Sequence, residues 1–262
     1  MRTNYQIIFV DIDWTILNHN YRPGRFDMPS IRKLKRLQKK GIKVFICTAR
    51  PYHSVDQIHF FDLFTPDGMI LSNGGYIIYD DNVIYKTDMA IKDFEALCNL
   101  ANKHKVNVEG IRIYDCFLIN NYFDEVLKLF ATYPESVPPV EDFHGQRVNG
   151  ATLFAPKELD EIFQKTLKNH VYYYRYHDSG VDIASQIHDK GFAVKFVLDY
   201  LGIKKEEAIS IGDDLQDISM FKETGLSIAM GNGKDETKEN ASYVTSDISH
   251  HGVKRALNKF IR

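Results

Sequence analysis

Apolar residues along this chain fall into short runs that end abruptly in polar clusters. Ile7-Ile8-Phe9-Val10 stops at Asp11-Ile12-Asp13-Trp14-Thr15, and Lys43-Val44-Phe45-Ile46-Cys47 stops at Thr48-Ala49-Arg50-Pro51. Met69-Ile70-Leu71-Ser72 ends at Asn73-Gly74-Gly75, Ala208–Ile211 at Gly212-Asp213-Asp214, and Leu226–Met230 at Gly231-Asn232-Gly233. Unbroken apolar runs of this length predict strands buried on both faces, the form strands take in parallel sheets. Between the runs the period lengthens to that of a helix. Ile31, Leu34 and Leu37 share one face of a helix over about 28–40, with Asp27 placed to cap it, Pro29 in its first turn and Gly41 at its end. Further helices are expected over about 53–61, 190–201, 215–222 and 251–261, and Asn18 to Asp27, around Pro23-Gly24, reads as a loop. Repeated strand–helix–strand at this spacing predicts a parallel sheet with right-handed crossovers.

The alternation breaks in the middle of the chain. Tyr76–Tyr79 and Val83–Lys86 flank Asp80-Asp81-Asn82 as a hairpin. From about Thr87 to Ser185 the pattern gives helix 90–104, strands near 106–119, helix 122–131, a Pro-rich loop at Pro134–Pro139, strand 148–155, helix 157–167, and strands 171–177 and 181–185. Grouped strands mixed with helices predict an α+β domain with an antiparallel sheet. The expected fold class is α/β. A Rossmann-like doubly wound core is built from residues 1–87 and 186–262, with an inserted α+β cap at 88–185.

Composition sharpens this picture mainly by exclusion. The chain has 262 residues, 44% of them apolar, and a formal net charge of −2, so the overall field does not favour nucleic acid. The basic run Arg32–Lys40 belongs to the solvated face of its helix. No apolar run approaches transmembrane length, and the first is too short for a signal peptide. The three cysteines are scattered and form no C-x-x-C pair, so neither a disulfide framework nor a cysteine zinc site is expected, and a reducing cytoplasm is the default compartment. His170, His177, His188, His250 and His251 lack zincin spacing and read as surface residues. Gly231-Asn232-Gly233 lacks the third glycine of a dinucleotide fingerprint, and no Gly-Lys-Ser/Thr phosphate loop is present.

The polar ends of the runs carry the chemistry. If the strands are parallel, their carboxyl ends lie along one edge of the sheet, where open α/β sheets bind ligands. Asp11, Asp13 and Thr15, then Thr48, then Lys190 at the start of a helix, then Asp213, Asp214 and Asp217 would all gather there. Several carboxylates in one place cannot all stay ionised without compensation. A divalent cation supplies it, and an all-oxygen donor set favours magnesium. Carboxylates, a hard cation, a lysine and a hydroxyl together suit a phosphoryl group.

In this order and spacing, Asp11-Ile12-Asp13-Trp14-Thr15, Thr48, Lys190 and Gly212-Asp213-Asp214-Leu215-Gln216-Asp217 resemble the four motifs of the haloacid dehalogenase superfamily of phosphatases. Ser72-Asn73-Gly74-Gly75, Lys190-Gly191, Ala229-Met230-Gly231-Asn232 and Gly252-Val253 are supporting matches. The arrangement is similar to the Cof-type, sugar-phosphatase-like branch, whose cap lies between the second and third motifs. Over the insert the resemblance rests on position and element order alone. It implies that Asp11 attacks phosphorus and forms an aspartyl-phosphate, and that Asp13 acts first as acid and then as base. Thr48 and Lys190 would hold phosphate oxygens. Magnesium would be bound by Asp11, Asp213 and the backbone carbonyl of Asp13, with Asp217 and Asp214 in support. The implied substrate is a small phosphorylated metabolite of the sugar phosphate kind. Neither nucleic acid nor membrane is an implied partner, and the chain would be a cytoplasmic monomer or small homo-oligomer. A phosphotransferase or mutase using the same intermediate, and a weakly active phosphate-ligand sensor, are compatible with the same residues. Three positions depart from the family pattern: Trp14 and Ala49 stand where glycine is usual, and Gln216 where asparagine is usual. Tryptophan at 14 either finds an ordinary backbone conformation or fills space near the site.

Overall fold

The structure is a computed structural model that describes residues 5–21, 24–131, 136–167, 171–185 and 189–261. In chain order its elements begin with β1 (Ile7–Val10), β2 (Leu17–Asn18), β3 (Arg25–Phe26), α1 (Met28–Gln38), β4 (Lys43–Cys47), α2 (Tyr52–Gln57) and α3 (Phe60–Leu63). Next come β5 (Gly68–Leu71), β6 (Tyr76–Tyr79), β7 (Asn82–Lys86), α4 (Ile91–His104), β8 (Asn107–Ile111), β9 (Cys116–Ile119) and α5 (Asp124–Phe130). The middle of the chain closes with β10 (Gly150–Phe154), α6 (Asp160–Leu167), β11 (Val171–His177) and β12 (Gly180–Ser185). The last part contains α7 (Lys190–Leu201), β13 (Ala208–Gly212), α8 (Asp217–Lys222), β14 (Leu226–Ala229), α9 (Asp235–Glu239), β15 (Tyr243–Val244) and α10 (Gly252–Phe260). The chain divides into two compact units, one of residues 1–49, 61–84 and 188–262, the other of residues 50–60 and 85–187.

The first unit is built on an eight-stranded sheet in the order β15-β14-β13-β1-β4-β5-β6-β7. From β15 to β5 neighbouring strands run parallel. β1 lies between β13 and β4, with Ile8 opposite both Ile209 and Val44. All four β1 residues have no exposed surface, which is why the run is apolar on both faces. Phe9 and Phe45 fill the layer above it, ring centroids 5.6 Å apart. The chain moves outward from β1 through β4 and β5, then returns to the other side of β1 at β13. The strand order therefore reverses at β1, and such switch points are where open α/β sheets place ligands.

Several local expectations are corrected. The stretch read as a loop from Asn18 to Asp27 contains an antiparallel pair, Leu17 opposite Phe26 and Asn18 opposite Arg25; Pro23 lies outside the described residues. Asp27 precedes α1 without capping it through its side chain. Its carboxylate accepts from the Ser30 hydroxyl and contacts His251 Nδ1 at 2.7 Å, so a long-range partner has taken the cap. The helix expected over 53–61 is broken into α2 and α3 by His59 in a left-handed conformation, φ 57°. The 76–86 hairpin turns through Asp80 and Asp81, both at positive φ (49° and 59°), as the right-handed strand twist favours. β6 pairs antiparallel with β5, so the hairpin extends the large sheet.

The second unit has a five-stranded antiparallel sheet in the order β11-β12-β10-β8-β9. The strand period of two divides its side chains cleanly. Val108, Phe117, Leu153 and Ile183 face one way into a core with Phe94 and Leu97 of α4 and Phe163 of α6. Glu109, Thr152 and Asp182 stand in register across β8, β10 and β12 on the other face. Pro134 of the expected Pro-rich loop lies outside the described residues, as does His170.

Phe9→Ala removes a fully buried ring from the centre of the first unit and is expected to cost about 3–5 kcal/mol. Urea unfolding followed by far-ultraviolet circular dichroism measures this, and an unshifted midpoint would contradict the packing described.

Candidate active site

The end of β1 turns sharply. The carbonyl of Ile12 accepts from the backbone N–H of Ile16 and of Leu17, both at 2.8 Å, which throws Asp11 and Asp13 out of the strand direction. Asp11 remains buried, and its Oδ1 accepts from Lys190 Nζ at 2.8 Å. Lys190 opens α7, whose preceding residue, Asp189, caps the helix by accepting from the Phe192 N–H. Gly74 (φ +96°) lies against that start: a Cβ there would come within 2.5 Å of the Asp189 carbonyl. The loop after β5 thus seats the helix end that delivers the lysine.

Lys190 Nζ also donates to Asp217 Oδ1 at 2.7 Å. The other Asp217 oxygen accepts from the backbone N–H groups of Asp213 (2.8 Å) and Asp214 (3.0 Å). Gly212 makes this possible, since a Cβ at that position would lie 2.2 Å from Asp217 Oδ2. Asp213 receives the Thr15 hydroxyl at 3.0 Å, a bond spanning nearly the whole chain. One oxygen each from Asp11, Asp213 and Asp217 lies within 4.8 Å of the others. Asp214 accepts from the Leu215 N–H and pairs with Lys234.

Charge at this point is out of balance. Burial is the largest influence on Asp11 and opposes its ionisation. Lys190 pulls the other way, while Asp217 and Asp13 add repulsion, and the result is a carboxyl pushed up from 3.8 to about 8. Asp213 is raised for the same reasons, burial first, then Asp11 and Asp217. Burial penalises the Lys190 ammonium, but Asp11 and Asp217 outweigh it and hold the proton firmly. One ammonium faces three carboxylates. An all-oxygen set with a deficit of positive charge fits a hard divalent cation such as magnesium. Asp11 and Asp213 are the better placed ligands, because both Asp217 oxygens are already engaged.

The remaining expected residues fall around this centre. Thr48 is buried at the end of β4, its N–H bonded to the Ile70 carbonyl and its carbonyl to the Asn73 N–H. Ser72 Oγ and Asn73 Oδ1 beside it are buried without a hydrogen-bond partner among the described residues. Asp13 lies at the more open side, its side chain 31% exposed, with Oδ1 2.6 Å from His19 Nε2. Trp14 takes φ 55°, so it keeps the left-handed backbone that glycine would adopt, at a cost of about 1–2 kcal/mol. Its carbonyl accepts from Asn232 Nδ2 at 2.8 Å, and Asn232 Oδ1 accepts in turn from the Ile248 N–H. Asp217 is held by the Lys190 ammonium and by the backbone N–H groups of Asp213 and Asp214, bonds that do not depend on the side chain at 216. His19 went unnoticed in the sequence because it sits in a stretch that reads as a loop. His188 lies outside the described residues, while His250 and His251 pair with Asp247 and Asp27.

The model of the haloacid dehalogenase-like hydrolase family matches residues 8–257. A phosphoglycolate phosphatase of Saccharolobus solfataricus is 26% identical over 98% of this chain and 96% of its own length. Among solved structures, the subclass IIB sugar phosphatase BT4131 superposes with a TM-score of 0.83 at 26% identity, covering 97% of this chain and 98% of that one. The phosphatase BT1666 from Bacteroides thetaiotaomicron gives 0.84 at 26% identity, covering 98% and 95%.

The raised carboxyls make stability depend on pH in a definite direction. Between 3.8 and about 8 the folded chain holds a proton on Asp11 that the unfolded chain has released. Stability therefore falls as pH rises through this window. Thermal unfolding of chelator-treated protein is expected at lower temperature at pH 8 than at pH 5, with millimolar magnesium raising the midpoint more at pH 8. Asp213→Asn should flatten the dependence. A midpoint that climbs from pH 5 to 8 without metal would refute this account.

Proposed function

Because this chain belongs to the haloacid dehalogenase-like hydrolases, we propose that it uses magnesium and an aspartyl-phosphate on Asp11 to hydrolyse a sugar phosphate. The chain is a phosphatase of this family, a phosphoric monoester hydrolase with the Cof-type fold. The observation that carries the finer reading is Lys190, buried and shared by Asp11 and Asp217, with Asp213 beside them. The likeness to a sugar phosphatase supports the substrate class.

In this reading Lys190 and Thr48 bind the oxygens of the phosphoryl group. Lys190 also keeps Asp11 aimed, leaving Oδ2 as the attacking atom. That oxygen forms a bond to phosphorus as the ester P–O bond breaks. Asp13 gives its proton to the departing alkoxide, then removes one from the water that attacks the acyl phosphate, so inorganic phosphate leaves and both carboxylates return to their starting state. Magnesium, held by Asp11, Asp213 and the Asp13 carbonyl, would offset the carboxylate charge and polarise the phosphoryl oxygens. His19 positions the Asp13 carboxyl through its 2.6 Å contact. Residues 1–87 and 186–262 are assigned to this chemistry and residues 88–185 to substrate choice. Trp14 retains the left-handed backbone that glycine would adopt, which supports hydrolysis over the reading as a weakly active phosphate-ligand sensor. Three free, buried cysteines accord with a cytoplasmic setting, and among the described residues no helix is long and apolar enough to cross a membrane.

Purified protein should release inorganic phosphate from p-nitrophenyl phosphate and from a panel of sugar phosphates only with magnesium present. Asp11→Asn should lower kcat by about 10³-fold or more; retained turnover overturns the nucleophile assignment, and an isomeric sugar phosphate in place of inorganic phosphate would favour transfer. His19→Ala should lower kcat several-fold with KM nearly unchanged, and His19→Gln, which keeps an N–H donor, should recover part of the loss. A change confined to KM would remove His19 from the positioning of Asp13.

A further inference from the structure

The second unit holds a group of side chains that phosphoryl transfer does not use. His53 lies on α2, Glu109 in the middle of β8 and Cys116 at the start of β9. Across β8 and β9, Glu109 is opposite Leu118 and Ile111 is opposite Cys116. Glu109 and Cys116 are therefore diagonal neighbours on one face of the sheet. His53 reaches the same point from a segment that precedes the rest of the unit in sequence. One donor atom from each of the three lies within 4.8 Å of the other two.

The contacts inside this group are poor as hydrogen bonds and good as the edges of a coordination shell. His53 Nε2 stands 3.4 Å from Glu109 Oε1, with side chains only 13% and 9% exposed. A charge-assisted bond would close to about 2.7–2.9 Å. Two ligands of a tetrahedral ion bound at about 2.0–2.1 Å stand roughly 3.3 Å apart. His53 Nδ1 is buried and has no partner among the described residues. Cys116 donates its thiol proton to Glu109, and burial together with that carboxylate holds the proton in place. Asp182 adds a second, half-buried carboxyl on the same face, pushed up to about 7 by desolvation and by Glu109. Among the described residues no lysine or arginine forms an ion pair with Glu109.

We propose that His53, Glu109 and Cys116 bind a divalent transition-metal ion of the zinc class, which ties α2 to the sheet of the second unit. An imidazole nitrogen, a thiolate and a carboxylate form a mixed donor set that magnesium and calcium do not favour and zinc does. Three protein ligands leave the fourth position to water. On binding, the Cys116 S–H bond breaks, the sulfur electron pair goes to the metal and the proton leaves to solvent. Glu109 exchanges the thiol hydrogen for the ion. No C-x-x-C spacing announces the site, because its ligands come from three separate elements. The proposal draws on none of the groups Asp11, Asp13, Thr48, Lys190 and Asp213 that the phosphatase reading gives a chemical role.

Cobalt(II) tests it, since it occupies zinc sites and reports thiolate ligation by charge-transfer absorption in the near ultraviolet. The full chain, stripped with chelator and held in millimolar magnesium, should develop this band and tetrahedral visible bands at one equivalent of cobalt. Cys116→Ser should abolish the near-ultraviolet band, whereas Cys47→Ser, Cys98→Ser and Asp213→Asn should retain it. His53→Gln should weaken cobalt and zinc binding about ten-fold or more. Absence of the band at stoichiometric cobalt, or its survival in Cys116→Ser, overturns the proposal. Independently of any variant, X-ray absorption of the zinc-loaded wild-type chain should find one sulfur neighbour at about 2.3 Å; a shell of nitrogen and oxygen alone overturns it as well.

Discussion

A single ammonium group, that of Lys190, holds the centre of the first unit together. Its Nζ reaches Asp11 at the end of β1 and Asp217 at the start of α8, and all three groups are buried. A buried lysine without partners would lose its proton, and a buried carboxylate without partners would gain one. Here Asp11 and Asp217 keep the proton on Lys190, and Lys190 in turn opposes the burial that raises Asp11. The same contacts fix the orientation of Asp11 and free Asp213 for a different partner, the Thr15 hydroxyl. Removing one member of such a group leaves uncompensated charge, so its members depend on one another for both stability and chemistry.

Around this point the backbone has been arranged to accommodate the carboxylates. Gly212 gives Asp217 room to lie over two backbone N–H groups. Trp14 shows the constraint from the other direction. The turn after Asp13 requires a left-handed residue, and this chain meets the requirement with a tryptophan. Asn232 grips the Trp14 carbonyl and the Ile248 N–H together, which links that strained turn to the loop before α10. Local strain persists where surrounding bonds over-determine the conformation.

The second unit shows how strand alternation assigns roles. One face of its sheet is an apolar core with α4 and α6, and the other carries Glu109, Thr152 and Asp182 in register. A row of polar side chains in the middle of strands contributes little to packing. Burying such groups carries a cost unless they are paired, so the row stands out against the apolar core on the opposite face.

The amino-acid pattern by itself determined the strand order in time, the breaks between parallel and antiparallel segments, and the set of strand ends that carry Asp11, Thr48 and Asp213. Those features depend on near neighbours along the chain, through the periods of helix and strand and the intolerance of a buried strand for charge. Tertiary structure decided how the polar residues are shared out. It turned Asp27 from a helix cap into a partner of His251, engaged both oxygens of Asp217, paired His19 with Asp13 and collected His53, Glu109 and Cys116. Each of these depends on distances between residues far apart in sequence or across a sharp turn. No local period encodes such a distance, so the pattern could say which residues carry chemistry but not which partner each would find.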